Sequence, residues 1–156
     1  MNSVSPKGPA LARRRIVVVN GPNLNLLGTR EPHIYGTKTQ AMLVKEIRAK
    51  AKRLGAQVRF FQSNHEGEII DFLQKEGPGA AGIIINPAAL SHYSIAVYDC
   101  LQALAVPVVE VHISNIHARE EWRSRTVTGR AARGIITGLG FNGYLLAMEF
   151  LCDLDR

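Results

Sequence analysis

The sequence predicts an α/β fold in which helices cover both faces of a five-stranded parallel sheet. Five short strand patterns alternate with helical patterns along the 156 residues, and this alternation favours parallel pairing through right-handed crossovers. The first and third strand patterns are continuously apolar, as expected for strands that are buried on both faces. Glycine or proline stands at several boundaries and separates the patterns.

The elements are predicted in order from spacing and composition. The strands cover residues 15–20, 57–62, 82–86, 106–113 and 134–137. The helices cover residues 40–54, 67–76, 94–105 and 143–154, with a short helical turn at 117–123. Thr37 or Thr39 is a candidate cap for the first helix, and Gly55 stops it. The apolar residues with helical spacing in this helix are Met42, Leu43, Ile47 and Leu54.

Five strands in this arrangement favour the flavodoxin-like order 2-1-3-4-5, a three-layer sandwich. Ligands of such sheets bind beyond the carboxyl ends of the strands, near the switch point between strands 1 and 3. Polar residues should therefore collect after strands 1, 3 and 4. The sequence has them there: Asn20 and Asn23, then Asn86, Ser91 and His92, then Glu110, His112 and Ser114.

Length and charge predict one soluble domain, residues 15–156, after a disordered basic arm at residues 1–14. Residues 1–15 hold four basic side chains and no acid, and the rest of the chain is nearly balanced, with 15 basic and 13 acidic residues. We therefore expect no nucleic-acid binding. The sequence shows neither a membrane span nor a secretory signal, and Cys100 and Cys152 have the pattern of buried residues, so a cytoplasmic protein is expected.

Two features are interpreted as structural. Residues 138–143 match GxGxxG between a strand and a helix. A dinucleotide site also needs a further strand and an acid about 20 residues on, and the chain ends too soon after Gly143 for that unit. These glycines are therefore interpreted as a tight turn. The five histidines lack zinc-type spacing and have no cysteine near them, so no metal is expected.

The segment 20–36, NGPNLNLLGTREPHIYG, is the candidate active-site loop. It follows a buried strand and has neither helical nor strand periodicity, and long irregular connections are usually functional. Arg30 and Tyr35 are its candidate cation and base. A phenol is a poor base at neutral pH, but a guanidinium about 4 Å away favours the ionised form by about 4 kcal/mol at an effective dielectric of about 20. The alternative is a surface tyrosine beside a snorkelling arginine.

The fourth strand carries a second candidate pair. Glu110, His112 and Ser114 alternate with apolar residues and share one face. A carboxylate beside a histidine fixes its tautomer and favours the imidazolium, which makes His112 a candidate general acid. The alternative is a structural histidine at a strand end. Five arginines follow, of which one or two could recognise an anion or hydroxyl groups: Arg119, Arg123, Arg125, Arg130 and Arg133.

Five blocks together resemble the type II 3-dehydroquinate dehydratase family. They are the loop 20–36, QSNHEGEIIDFLQ, INPAALSHYSIAVYD, EVHISNIHAREEWR and GLGFNGYLLAM, in order over nearly all of the chain from Arg15 onward. The resemblance implies a hydro-lyase of the shikimate pathway (aromatic amino acid biosynthesis) or of quinate catabolism. It would convert 3-dehydroquinate to 3-dehydroshikimate by anti elimination through an enolate, without a metal, an organic cofactor or a Schiff base.

The resemblance also implies roles for individual residues. Tyr35 would be the proton acceptor, Arg30 the cation that keeps it ionised, and His112 the proton donor. Glu110 would support His112, and Asn23 would hold a water at the enolate oxygen. The implied substrate-binding residues are Asn86 and the backbone amides of Ile113 and Ser114 at the carboxylate, His92 and Arg123 at the ring hydroxyls, and Asp99 from a neighbouring subunit. A homo-oligomer, a dodecamer built from trimers, is implied.

The chain departs from the family in two segments. Ala88 or Ala89 stands where the family usually has glycine, and Leu90 where it often has an aromatic residue, so the carboxylate pocket is expected to be crowded. Residues 124–133, SRTVTGRAAR, are unusual and bear on subunit contacts or affinity. Two other functions stay open at this stage: a flavodoxin-like domain that binds a small anion without turnover, and a flavin-binding electron carrier.

Overall fold

The structure, a computed structural model, describes residues 14–154. Its centre is a sheet of five strands: Arg14–Asn20 (β1), Ala56–Gln62 (β2), Gly82–Asn86 (β3), Val108–His112 (β4) and Gly134–Thr137 (β5). All neighbouring strands pair in parallel, in the order β2-β1-β3-β4-β5. The predicted fold class and strand order are confirmed.

Helices cover both faces of this sheet. They are Pro32–Tyr35 (α1), Gln40–Arg53 (α2), Glu66–Glu76 (α3), Ile95–Ala103 (α4) and Asn142–Asp153 (α5). The apolar side chains of α2 and α5 pack on one face and those of α3 and α4 on the other. Short 3₁₀ turns occupy the connections at Leu24–Leu26, Ala88–His92, Ile116–Ala118, Glu121–Ser124 and Thr128–Ala131.

The continuous apolar run of β1 serves both layers of the core. Ile16 and Val18 point to α2 and α5, whereas Val17 and Val19 point to α3 and α4, and all four are fully buried. Full burial of such a side chain is worth about 1.5–3 kcal/mol. The two-sided burial explains why the strand lacks polar alternation. Cys100 and Cys152 are buried in opposite layers, as their apolar patterns predicted.

Hydroxyl caps explain where α2 and α4 begin, and Thr39 is one of the two cap candidates predicted for α2. The Thr39 hydroxyl accepts a hydrogen bond from the Met42 N–H at 3.3 Å, and the Ser94 hydroxyl accepts one from the Val97 N–H at 2.9 Å. Such caps satisfy donors that the first turn of a helix leaves free. Of the apolar residues with helical spacing, Leu43 is buried, whereas Met42 is 52% exposed.

Several boundaries differ from the sequence prediction for local reasons. The strand β4 begins two residues later than predicted, because Pro107 has no N–H to donate, although its carbonyl accepts from Ile83. The loop 20–36 is not wholly irregular, since it contains a 3₁₀ turn and α1. The predicted basic arm lies outside the described residues apart from Arg14, which belongs to β1. No helix among residues 14–154 has the length and apolarity that crossing a membrane requires.

Candidate active site

A cleft opens beyond the carboxyl ends of β1, β3 and β4. This is the edge at which doubly wound sheets bind ligands. Nine of the residues implied by the resemblance line it: Asn23, Arg30, Tyr35, Asn86, His92, His112, Ile113, Ser114 and Arg123. Glu110 lies behind His112, fully buried. Asp99 is exposed on α4 and does not line the cleft of its own chain.

The chain enters the cleft through a close contact directly after β1. The Gly21 N–H donates to the Asn86 carbonyl at 2.8 Å, and a Cβ at Gly21 would lie 2.4 Å from the Pro87 carbonyl oxygen. Asn23 then takes a left-handed conformation with φ of 68°, and its N–H donates to Asn64 Oδ1 at 2.9 Å. Asparagine tolerates this conformation better than most residues. These contacts bring Asn23 to the wall of the cleft.

Two guanidinium groups flank the phenol of Tyr35. Arg119 Nη1 donates a hydrogen bond to the Tyr35 hydroxyl at 2.7 Å. The Arg30 guanidinium carbon lies 5.7 Å from the centre of the tyrosine ring, while its Nε pairs with Glu31 at 3.2 Å. Two guanidinium groups therefore lie at the Tyr35 side chain, and the one nearer the hydroxyl belongs to Arg119.

The position of Arg119 was not predicted from the sequence. The sequence grouped it with four other arginines after β4 and assigned the stabilising role to Arg30. The Arg119 side chain is only 12% exposed, and its Nη1 also approaches the Ser114 hydroxyl at 3.4 Å. Its proximity along the chain to Ser114, at the end of β4, was the available signal. No local pattern joins it to Tyr35, because the two residues lie 84 positions apart.

The Glu110 carboxylate is held by three side chains in the core. Its Oε1 accepts from the Ser91 hydroxyl and lies 2.7 Å from His112 Nε2, and its Oε2 accepts from the Thr128 hydroxyl at 2.6 Å. A fully buried carboxylate requires such partners, because isolated burial of a charge is costly. Since His112 Nε2 faces Glu110, Nδ1 is the ring nitrogen left to meet a ligand.

The unusual segment 124–133 contributes to the site through Thr128, whose hydroxyl contacts Glu110. The segment forms a 3₁₀ turn, Thr128–Ala131, and Val127 N–H donates to the Ser91 carbonyl at 2.6 Å. Thr128 itself is fully buried against Glu110. Ser91 was singled out from the sequence only as a polar residue after the third strand, and Thr128 was not, because a lone hydroxyl residue in a loop carries no spacing signal. The segment closes the far side of the carboxylate.

His92 is poised as a neutral hydrogen-bonding group. Its Nδ1 lies 2.8 Å from the Arg125 carbonyl, which as an acceptor requires Nδ1 to carry the proton. Burial lowers the pKa of His92, and the positive charges of His112 and Arg123 lower the pKa further, against the opposing effect of that hydrogen bond. The neutral ring keeps Nε2 as an acceptor, the group that a ligand hydroxyl needs.

Arg123 and the Asn86 loop complete the walls. Arg123 Nε pairs with Glu120 at 2.8 Å, and its guanidinium lies over the Trp122 ring, 4.1 Å from the centre. Ala88 and Ala89 line the cleft, and Ala88 has a left-handed φ of 53°. This conformation favours glycine, which gives a physical reason for the glycine common in the family near this position. In the part of the chain that the structure describes, no three His, Cys, Asp or Glu side chains are grouped to bind a metal.

The fold and the cleft define a flavodoxin-like α/β protein with a site for acid–base chemistry. A phenol held by guanidinium groups and an imidazole backed by a carboxylate line one cavity. A phenol and an imidazole are among the side chains that act as proton acceptor and proton donor in enzymes.

Comparison with known proteins identifies the family. The model of the family "Dehydroquinase class II" matches residues 14–152. A 3-dehydroquinate dehydratase of Halothermothrix orenii is 56% identical over 142 residues, 91% of this chain and 96% of that protein. A catabolic 3-dehydroquinase of Aspergillus clavatus is 51% identical over 136 residues, 87% of this chain and 91% of that protein. The chain belongs to the class II dehydroquinase family, as its resemblance predicted.

The solved structures agree with this assignment. The crystal structure of a type II dehydroquinase from Butyrivibrio crossotus superposes with a TM-score of 0.87 at 45% identity, covering 89% of this chain and 97% of that one. The type II dehydroquinase from Propionibacterium acnes gives a TM-score of 0.86 at 43% identity, with 89% and 96% covered. The family and the fold are therefore consistent with each other.

Proposed function

We propose that this chain removes water from 3-dehydroquinate to give 3-dehydroshikimate, by anti elimination through an enolate. The observation that carries the proposal is the convergence of Tyr35, bound by Arg119, and His112, backed by Glu110, on one cleft. The printed names of the relatives, among them a dehydratase and a catabolic 3-dehydroquinase, support the same reaction. The reaction serves the shikimate pathway or quinate catabolism.

The first half of the reaction uses Tyr35. Its phenolate takes the proton from the carbon beside the ketone, and the electron pair of that C–H bond moves into the enolate. Arg119, which donates to the phenol oxygen, stabilises the phenolate, and Arg30 lies over the ring. Asn23 holds a water against the enolate oxygen. Stabilising charge that develops in the transition state is often the largest contribution to catalysis.

The second half uses His112. Its imidazolium gives a proton to the departing hydroxyl as the C–O bond breaks, and the enolate electron pair closes the new C=C bond. Glu110 stabilises the imidazolium until that transfer. The products are 3-dehydroshikimate and water, so the step is redox-neutral and its atoms balance. Tyr35 then holds one proton more and His112 one fewer, and a proton passes between them before the next turnover.

Substrate binding follows the same assignment. Asn86 and the backbone amides of Ile113 and Ser114 bind the carboxylate, while His92 and Arg123 contact the ring hydroxyls. The neutral His92, with Nε2 as an acceptor, suits a hydroxyl donor. The Arg123 side chain is largely buried against Trp122, and its guanidinium N–H groups lie near the cleft.

The assembly and location belong to the same proposal. Asp99 is exposed on α4 and outside its own cleft, so it reaches substrate only from a neighbouring subunit. We therefore expect a homo-oligomer, a dodecamer built from trimers, working in the cytoplasm. Light scattering of the purified protein measures the subunit count. A monomer that turns over at full rate would remove Asp99 from the site.

The growth of ultraviolet absorbance from the conjugated enone of the product tests the reaction. Wild type should generate it from 3-dehydroquinate, and Tyr35→Phe should lose at least about 99% of kcat, since general base catalysis contributes about 10²–10⁴-fold. Tyr98→Phe is the matched control, because the Tyr98 hydroxyl contacts Gln102 on α4, away from the cleft. No absorbance growth with wild type would favour a small-anion binding domain, and a coloured protein would favour a flavin carrier.

Borohydride separates the enolate route from a lysine Schiff base. No lysine lines the cleft in the described part of the chain. Borohydride added with substrate should leave activity unchanged and add no mass to the protein. Trapping of a covalent adduct would overturn the enolate mechanism while leaving the overall reaction in place.

A further inference from the structure

A buried chain of hydrogen bonds runs behind the cleft from Asn86 to β1. Asn86 Nδ2 donates to the Tyr144 hydroxyl at 2.9 Å, and that hydroxyl donates to Asn20 Oδ1 at 2.8 Å. Asn86 ends β3, Asn20 ends β1, and Tyr144 lies on α5. Tyr144 and Asn20 are fully buried and do not line the cleft, whereas Asn86 does.

One backbone group determines which atom donates and which accepts in each of these hydrogen bonds. The Ala88 N–H can only donate, and it donates to Asn86 Oδ1 at 3.1 Å. The amide oxygen of Asn86 is therefore taken, and its Nδ2 faces Tyr144. Because an amide nitrogen does not accept a hydrogen bond, the phenol must accept from Asn86 and donate to Asn20. Only one assignment of donors and acceptors is therefore consistent for these three side chains.

This assignment determines whether the Asn86 amide presents a hydrogen-bond donor or an acceptor to a ligand. An amide nitrogen carries two hydrogens, and the Tyr144 hydroxyl binds one of them. The second hydrogen stays available at the cleft wall. If the amide rotated by half a turn, its carbonyl oxygen would lie near Tyr144. That oxygen would then repel an anion bound in the cleft. A fixed amide therefore presents a donor, the group that a carboxylate requires.

The network is a poor device for stability alone. Asn20 Nδ2 has no hydrogen-bond partner among residues 14–154 although it is fully buried. An unsatisfied buried donor costs about 1–3 kcal/mol, and a partly satisfied polar network is worse for a core than apolar packing. Burial also raises the pKa of Tyr144, so its hydroxyl keeps its proton and remains a donor to Asn20. A role in positioning Asn86 explains why these polar side chains are buried here, whereas a contribution to stability does not.

We propose that Tyr144 is a positioning residue that orients Asn86, so that the cleft presents an amide N–H to the carboxylate of the substrate. This inference rests on the proposed function, in which Asn86 binds that carboxylate. Tyr144 touches neither the substrate nor the reacting atoms. Its contribution is made through Asn86, with Asn20 as the acceptor that holds the hydroxyl in place.

The test is a double-mutant cycle on steady-state kinetics with 3-dehydroquinate. Tyr144→Phe removes one oxygen and keeps the ring, and it should raise KM about tenfold, the ratio expected for one hydrogen bond, with kcat changed less than about twofold. Asn86→Ala should raise KM more. The double variant should match Asn86→Ala alone, because Tyr144 has nothing left to orient. Tyr98→Phe, the control from α4, should leave KM unchanged.

Each other outcome counts against the inference. Unchanged KM in Tyr144→Phe, or KM effects that multiply in the double variant, would overturn it. Lower thermal stability with wild-type KM would show a purely structural role. Should Tyr144→Phe fail to fold, Asn20→Leu removes the acceptor at the far end and should still raise KM, again only when Asn86 is present. Failure of wild type to turn over substrate would instead reject the proposed function.

Discussion

Arg119 Nη1 lies 2.7 Å from the Tyr35 hydroxyl, although Tyr35 comes 84 residues earlier in the chain. The arginine side chain is largely buried, so water screens its charge only weakly. Arg30 lies over the face of the same ring but directs its Nε to Glu31. The phenol oxygen therefore receives its hydrogen bond from Arg119, and both guanidinium carbons lie within about 6 Å of the ring centre, at 5.4 Å for Arg119 and 5.7 Å for Arg30.

Arg119 is predicted to contribute to catalysis independently of Arg30. Arg119→Gln removes the charge and its donor, and we expect kcat to fall about 30-fold, since a hydrogen bond to a charged group is worth about 1.5–3 kcal/mol. Arg119→Lys keeps the charge but loses the planar guanidinium. Its kcat should therefore lie between that of wild type and that of Arg119→Gln. Arg59→Gln, on the exposed face of β2, is the control. Wild-type kcat in Arg119→Gln would show that Arg30 alone sustains the base.

The hydroxyls that hold Glu110 form a second prediction. Ser91→Ala and Thr128→Val each remove one donor to the buried carboxylate. We expect a loss of about 1–3 kcal/mol in the free energy of unfolding from the unsatisfied acceptor. We also expect kcat to fall about tenfold at saturating substrate, because a less firmly held Glu110 orients His112 less well.

A matched hydroxyl elsewhere provides the comparison for these variants. The Ser124 hydroxyl donates to the Glu121 carbonyl on an exposed turn, so Ser124→Ala should change neither stability nor kcat. Denaturant unfolding and steady-state assays at one temperature measure both quantities. Loss of stability with full kcat in Ser91→Ala and Thr128→Val would mean that these hydroxyls support the core and not His112.

His92 makes stability depend on pH in a defined direction. Burial, together with the charges of His112 and Arg123, lowers the pKa of His92 in the folded protein. The unfolded chain therefore binds the proton first as the pH falls, and stability declines below about pH 6.5. His92→Gln should remove this part of the decline. The difference in unfolding free energy between wild type and His92→Gln, measured from pH 7.5 to pH 5, should shrink toward acid pH; a constant difference would refute the assignment.

The contact at Gly21 predicts a pair of opposite effects on stability. Gly21→Ala puts a Cβ 2.4 Å from the Pro87 carbonyl oxygen and should cost about 2–3 kcal/mol. Gly67→Ala, near the start of α3, meets no atom within 4 Å in the described chain and should stabilise by about 0.5–1 kcal/mol. Thermal unfolding compares the two. Equal stability of both variants would mean that β1 and β3 do not approach this closely.

The sheet was predictable because its signals are local. The apolar run of β1 and the GIIIN run of β3 need no distant partner to be recognised, and alternation of strands and helices then limits the topology. The loop glycines follow the same logic, since Gly138 and Gly140 both have positive φ in the turn between β5 and α5. The interpretation of GxGxxG as a tight turn agrees with that geometry.

The site was predictable only where residues cluster in sequence. His112 and Glu110 share a strand face, and Tyr35 stands in a loop with a recognisable pattern. Arg119, Ser91 and Tyr144 act across the fold, and their partners are set by tertiary packing that periodicity does not encode. The family resemblance supplied the roles of Asn23 and Asp99, which the residue types alone did not.

The charge of the cleft has a consequence for the rate of substrate capture. Arg30, Arg119 and Arg123 line it; within residues 14–154 no carboxylate does, and the partners Glu31 and Glu120 lie outside the lining. Low-dielectric walls focus such a potential outward and steer an anion from solution. Because the Debye length is about 8 Å at 0.15 M salt, kcat/KM should fall as ionic strength rises while kcat holds steady. A product that keeps the same carboxylate is retained by the same field, so its escape accelerates as salt is added.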